Sequence, residues 1–292
     1  MTRTLTVQTW NCFGTAMDLR AVFRRRGPPD AHRLTHPDVR HELLLTDVLC
    51  VQELWIPDAV ELFDSLSFDH KVRDSNESRL VPLTIGGSGL GIATRLPLVT
   101  RDSRAFRERG WGTDRGARKG VLHARLRVAE APNRELDIFT THVQAGFSRQ
   151  AQVRRARQLA EIRRAVDELG APERPLLVCG DLNINGLAPA RDAEYARVVE
   201  LFPELEDLGA GADEPTMCPD PALNELAHRY WSAEPLQRLD YLLYRPARPS
   251  WLAVDRFERV LDQQLRPHGG PATYPSDHFG VRAHFRILEP GE

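Results

Sequence analysis

The apolar, strand-like run Leu176 to Cys179 ends in Gly180-Asp181-Leu182-Asn183, a carboxylate and a carboxamide two residues apart. Alternation along an extended chain would send both side chains the same way, into whatever lies beyond the strand end. Gly-Asp-x-Asn is equally respectable turn chemistry, so this stretch alone leaves both readings open. Other runs finish in the same manner. Thr4 to Trp10 leads into Asn11, Thr46 to Gln52 into Glu53, and Leu136 to Thr141 into His142, while the run Leu239 to Tyr244 carries Asp240 at its beginning and Asp277-His278 precedes Val281 to Ile287. Singly, Asn11 reads as a turn, Glu53 as a helix-cap partner, His142 as a surface residue and Asp240 as a strand cap. Together they are hard oxygen donors and two imidazoles, with no serine or thiol in a nucleophile setting. Such a set suits Mg²⁺ or Mn²⁺ rather than zinc, because a hard cation prefers carboxylate and keeps waters. A metal held by carboxylates, a carboxylate to orient water and imidazoles beside a phosphate form a kit for phosphoester hydrolysis.

The elements that would position these groups alternate between strand and helix. Strands are expected at Leu90 to Thr94 and Val121 to Val128 besides the runs above, and helices at Pro37 to Leu45 and Pro57 to Leu66. Gln150 to Leu169 is the clearest helix, with Val153, Ala156, Leu159, Ala160, Ile162 and Val166 on one face and Gly170 and Pro172 as stops. Arg24 to Pro29 reads as a loop. Many short strands with helices between them argue for a sheet core of two layers covered by helices, with the strand order left open.

At 292 residues, 41% of them hydrophobic, the chain can bury a substantial core, and a single domain over 1–292 is expected. A formal net charge of -2 gives no electrostatic argument for nucleic acid, although a local basic rim would suffice. No apolar leader or bilayer-length stretch is seen, so a cytoplasmic monomer is expected. The four cysteines have no zinc or disulfide spacing, and Cys50 and Cys179 fall inside apolar runs as small hydrophobes. Lys71 and Lys119 are the two lysines among 39 basic residues. Codon bias accounts for arginine in general and draws attention to each lysine that remains.

The motifs Trp10-Asn11, Gln52-Glu53, Thr141-His142, Gly180-Asp181-Leu182-Asn183, Arg238-Leu239-Asp240-Tyr241 and Ser276-Asp277-His278 occur in the order found in one family. In these the chain resembles the endonuclease/exonuclease/phosphatase superfamily of metal-dependent phosphohydrolases. The resemblance implies a deoxyribonuclease I-like, four-layer α/β sandwich, two packed mixed β-sheets flanked by helices. It also implies metal binding by Glu53, helped by Asn11 and Asp277, with Mg²⁺ as the cofactor and Mn²⁺ as its substitute. Asp181 resembles the residue that orients or deprotonates the attacking water, and Asn183 the amide at the phosphate or that water. His142 would stabilise a phosphoryl oxygen, and His278, its ring held by Asp240, would do likewise or act as acid or base; Asp181 and His278 share the general-base assignment.

A second similarity, to the neutral sphingomyelinase branch, covers Ser88 to Val128. It includes Gly89 to Leu98 and an Asp and a Lys five residues apart, Asp114 and Lys119, before Gly120-Val121. That branch links such a pair to activity; the plain alternative is a solvated Arg/Asp loop. The lysine scarcity favours a required ammonium. A lipid substrate needs access to a membrane surface, and Phe106 and Trp111 are the hydrophobic residues in view for it. The Arg-rich segment Arg101 to Arg118 could meet anionic headgroups, nucleic acid or solvent. The leading expectation is thus a Mg²⁺-dependent phosphodiesterase acting on a phospholipid or a related small diester. The alternatives are a nuclease or nucleotide phosphatase, with Phe147, Tyr230 and Trp231 as stacking candidates, and a catalytically silent binding domain.

Overall fold

The computed structural model of the protein describes residues 3–15, 31–74, 87–129, 133–187, 193–266 and 272–289, and the Arg24 to Pro29 loop lies outside them. The described strands form two six-stranded sheets. One runs in the order β11 (Leu252–Val260), β12 (Gly280–Ile287), β1 (Arg3–Asn11), β2 (Val48–Gln52), β4 (Gly91–Thr94), β3 (His70–Arg73). The other runs β5 (Leu98–Ala105), β6 (Gly120–Ala129), β7 (Arg134–His142), β8 (Leu176–Asp181), β10 (Asp240–Arg245), β9 (Glu206–Asp207). Each sheet holds one parallel pair, β1 with β2 and β7 with β8, in an otherwise antiparallel array.

A parallel pair needs a crossover, supplied in part by helix α1 (Pro37–Leu43) between β1 and β2 and by α3 (Arg149–Leu169) between β7 and β8. The members of each pair therefore finish side by side, with Asn11 opposite Gln52 and His142 opposite Asp181. Between the sheets, Leu5, Val7, Cys50 and Ile92 meet Leu122, Ile138, Leu177 and Cys179. The outer face of the first sheet packs Trp10, Leu49 and Val51 against α1 and α2 (Pro57–Ser65); that of the second packs Phe139, Val178 and Tyr241 against α3 and α4 (Ala193–Leu201). The result is the expected four-layer sandwich of mixed sheets, and both strand cysteines lie in its centre. Near the site the sheets are also joined by polar contacts, since Gln52 Nε2 donates to Thr140 Oγ1 across the interface (2.9 Å) and to Thr9 Oγ1 (3.0 Å).

Helix α3 departs from its expected face. Val153 and Ala160 are exposed, whereas Arg155 and Gln158 are buried with Leu159, Ile162, Ala165 and Val166. The buried guanidinium is satisfied by Gln144 O (2.9 Å), Gly146 O (2.6 Å) and a two-pronged pair with Glu194. Arg101 to Arg118 is likewise more than a loop, for its first residues belong to β5, a half-buried strand at a sheet edge. Phe106 then turns into the core under α3 at 8% exposure, which removes it as a membrane contact.

Candidate active site

The ends of the two parallel pairs meet at one edge of the sandwich. Asn11, His142 and Asp181 are the last residues of β1, β7 and β8, and Glu53 follows β2. Strand β10 runs antiparallel to β8 with Asp240 opposite Asp181, so its first residue reaches the same edge. Strand β12 runs antiparallel to β1, so Asp277 and His278, just before it, arrive there too. All ten residues expected from the sequence are connected through hydrogen bonds or close contacts at this edge.

Asn11 Nδ2 donates to Glu53 Oε1 and to Asp181 Oδ2, both at 3.1 Å. Asp181 Oδ2 lies 3.4 Å from His142 Nε2 and 4.0 Å from His278 Nε2. His278 Nδ1 is 2.8 Å from Asp240 Oδ2. Burial opposes charge on His278, but Asp240 and Asp181 outweigh it and hold the ring as imidazolium, well above the usual histidine range. His142 goes the other way: burial, then the Lys119 charge, pushes it well below that range, and it is neutral. Burial also raises the Asp181 carboxyl to about 6, tempered by His278.

Asp114 and Lys119 belong to this network rather than to a solvated loop. Lys119 is buried, and its Nζ lies 2.8 Å from Asp114 Oδ2, 2.7 Å from Val143 O and 3.0 Å from His142 Nε2. Asp114 Oδ2 also accepts from Ala145 N (2.7 Å), which ties its segment to the loop after His142.

The Gly180-Asp181-Leu182-Asn183 stretch is both site and turn. Extended geometry stops at Asp181. Asn183 has φ 49°, and its N–H donates to Asp181 Oδ1 at 2.8 Å, so alternation does not set its direction. Its Nδ2 reaches Val143 O at 3.3 Å. Glu53 leaves β2 through a left-handed conformation as well, at φ 66°.

The residues fit a hard divalent cation. Glu53 Oε2 is enclosed and has no hydrogen-bond partner among the described residues; burial, then the Asp277 charge, raises the Glu53 pKa to about 8, an environment that a cation relieves. Asp277 is aimed by Trp231 Nε1 (2.7 Å) and Ser276 Oγ (3.1 Å). Asn11 meets the carboxylates through its nitrogen, while its Oδ1 accepts from Phe13 N (3.0 Å). Among the described residues no three His, Cys, Asp or Glu side chains form a closed metal cage, and few protein donors suit Mg²⁺, which retains several waters.

Two tryptophans complete the site. Trp55 stacks on His142 with centroids 5.9 Å apart, and Gly89, at φ 69°, makes room for it, since a Cβ there would lie 2.5 Å from Trp55 Nε1. Trp55 escaped the sequence reading because it ends no strand; its only signal is its place two residues after Glu53. Trp231 orients Asp277 and Tyr230 packs edge-on against Phe13, so both expected stacking residues have internal partners, whereas Phe147 is 58% exposed.

The endonuclease/exonuclease/phosphatase family model matches residues 9–278. Sphingomyelinase C of Leptospira interrogans is 32% identical over 100 residues, 33% of this chain and 17% of the relative. Nocturnin of Drosophila melanogaster is 28% identical over 196 residues, 59% of this chain and 28% of the relative. The matches thus span under a third of those proteins' lengths. Among solved structures, sphingomyelinase C from Streptomyces griseocarneus superposes with a TM-score of 0.72 at 22% identity, covering 97% of this chain and 99% of that one. A Staphylococcus aureus beta toxin variant with bound magnesium ions gives 0.72 at 16% identity, covering 98% and 100%. D. rerio TDP2 complexed with a single-strand DNA product gives 0.68 at 20% identity, covering 97% and 98%. At these identities the structural likeness establishes the fold, while the family match extends over nearly the whole chain and over every motif at the sheet edge. The chain belongs to the endonuclease/exonuclease/phosphatase family.

Proposed function

We propose that the protein is a Mg²⁺-dependent phosphodiesterase of the neutral sphingomyelinase type that releases a phosphorylated headgroup from a phospholipid. One observation carries this reading: an unbroken contact path from Glu53 through Asn11 to Asp181, flanked by one neutral and one charged imidazole. Glu53 and Asp277 would hold the ion, with Asn11 fixing the Glu53 carboxylate; Mn²⁺ suits the same donors. A bound ion would polarise the phosphoryl group and acidify the attacking water.

Asp181, with its pKa of about 6, is largely ionised at neutral pH and is placed to take the water's proton. Lys119 spends its three protons on Asp114, Val143 O and His142 Nε2, so the neutral His142 ring carries its hydrogen on Nδ1. That buried Nδ1 has no partner among the described residues and is the donor for a phosphoryl oxygen as charge grows in the transition state. His278, charged already, supplies a proton to the departing oxygen, and Asp240 keeps its ring oriented. Asn183, beside Val143 O, lies within the same cluster for contact with the phosphate.

Likeness to sphingomyelinase C in sequence and fold supports the lipid branch, and the Asp114–Lys119 pair at His142 agrees with it. Likeness to a structure holding a DNA product keeps a nuclease as the second reading. Hydrolysis of bis-p-nitrophenyl phosphate is expected to need Mg²⁺, to stop with EDTA and to be lost in Glu53→Ala; indifference to all three sinks both enzyme readings. A panel of sphingomyelin, phosphatidylcholine, plasmid DNA and mononucleotides then separates the branches, and turnover of DNA alone excludes the lipid.

A further inference from the structure

We infer that the rim formed by the segment after β5 and the start of α3 is a docking surface for an anionic phospholipid bilayer. Trp111 and Phe147 are 47% and 58% exposed. The two segments that carry them are stitched together, because the Gln144 side chain accepts from Trp111 N (2.6 Å) and donates to Trp111 O (3.1 Å). The Asp114 contact with Ala145 N joins them again. Both segments border the catalytic edge, since Gln144 is two residues from His142 and Lys119 ends the first of them.

Around these aromatics, Arg109, Arg115, Arg118 and Arg149 are exposed, and their guanidinium groups have no acidic partner among the described residues. The nearby acids are already engaged, Glu108 by Arg154 and Arg157 and Asp114 by Lys119. In a chain of net charge -2, this collects unneutralised positive charge at one lip of the site. Exposed aromatics among arginines match an interface whose outer layer is anionic and whose next layer is apolar. Val153, one turn into α3 and 44% exposed, extends the apolar part and has no ring for stacking on a base, which favours lipid over nucleic acid as the occupant.

The inference deepens the phospholipid reading above; its test reads binding and not turnover, so either can fail alone. Co-sedimentation would compare vesicles of phosphatidylcholine with vesicles in which about one lipid in four is phosphatidylserine. Binding is expected to be at least tenfold tighter to the anionic vesicles and to weaken with salt, since each arginine at such a surface contributes roughly fivefold. Trp111→Ala with Phe147→Ala, and separately Arg109→Gln with Arg149→Gln, should each weaken it by roughly tenfold or more, with thermal unfolding midpoints as the check that each variant folds. Wild-type affinity in both folded variants, no binding to either vesicle, or tighter binding to a single-stranded oligonucleotide than to anionic vesicles would overturn the assignment.

Discussion

Lys119 places three acceptors around one buried nitrogen, each within 3.0 Å and each on a different residue, Asp114, Val143 and His142. An ammonium can aim three protons from a point; a guanidinium is flat, longer and fans its donors in a plane. Lys119→Arg therefore keeps the charge and loses the geometry, displacing His142 or Asp114 to fit. Its kcat on bis-p-nitrophenyl phosphate should fall by on the order of a hundredfold, as expected for misplacing a catalytic group by about 1 Å, with a much smaller change in KM. Activity within a few-fold of wild type would show that charge alone is required. The lysine was legible because it stands out in an arginine-rich chain, as the carboxylates were because they end apolar runs. Trp55 was not, for nothing in its neighbourhood separates a ring stacked on His142 from an ordinary buried tryptophan. Asn183 was half legible, since the sequence motif is compatible with a turn and a site and the backbone makes both.

Strand β8 delivers Asp181 because β7 runs beside it in parallel, and the fit between them at the site end depends on Gly180. At φ 130° and with Thr141 O only 2.0 Å from where a Cβ would sit, this position has neither the conformation nor the space for a side chain. Gly180→Ala must separate the β7 and β8 ends, at a cost of about 2–4 kcal/mol from strain and overpacking combined. Urea unfolding should show that loss, and turnover should fall with it because His142 and Asp181 terminate the two strands; a variant with an unchanged unfolding midpoint would refute the argument. The glycine was visible in the sequence, but its reason was not, because the crowding atom belongs to a residue 39 positions earlier. The central strands were legible as apolar runs, to within a residue or two. Edge strands β3, β5 and β11 were not, since half-exposed strands carrying Arg, Lys and Asp have no such run. The same gap accounts for the misread face of α3, where Arg155 is buried by loop carbonyls that lie outside any helical period.

At the scale of the whole molecule, two of the places where charge is buried have opposite consequences. At the edge where the parallel pairs end, Glu53 and Asp181 are held with raised pKa values, a state that does not favour the fold and marks a candidate functional site. Away from it, Asp137 on β7 is fully buried and accepts from His123 Nε2 (2.9 Å), Arg125 Nε (3.0 Å) and Arg174 Nε (2.7 Å). Both arginines also donate to Leu169 O, the last carbonyl of α3, so one carboxylate joins β6, β7, the helix end and the turn into β8. Burial alone would raise its pKa, but the bonds from His123 and Arg174 prevail and hold it below the usual carboxylate range. An acid lowered in this way contributes stability that is fully present above its unfolded pKa of about 3.9 and is lost as pH falls through the folded value. Asp137→Asn, which takes the buried anion away from His123, Arg125 and Arg174, should cost about 3 kcal/mol at neutral pH while kcat in the folded protein stays unchanged. The stability gap between wild type and variant should then narrow from about pH 4 downward, because the wild type alone has this carboxylate to protonate. Urea midpoints of both proteins, taken at neutral pH and near pH 3, measure that gap, and one that stays constant would show that Asp137 acts by shape and not by charge.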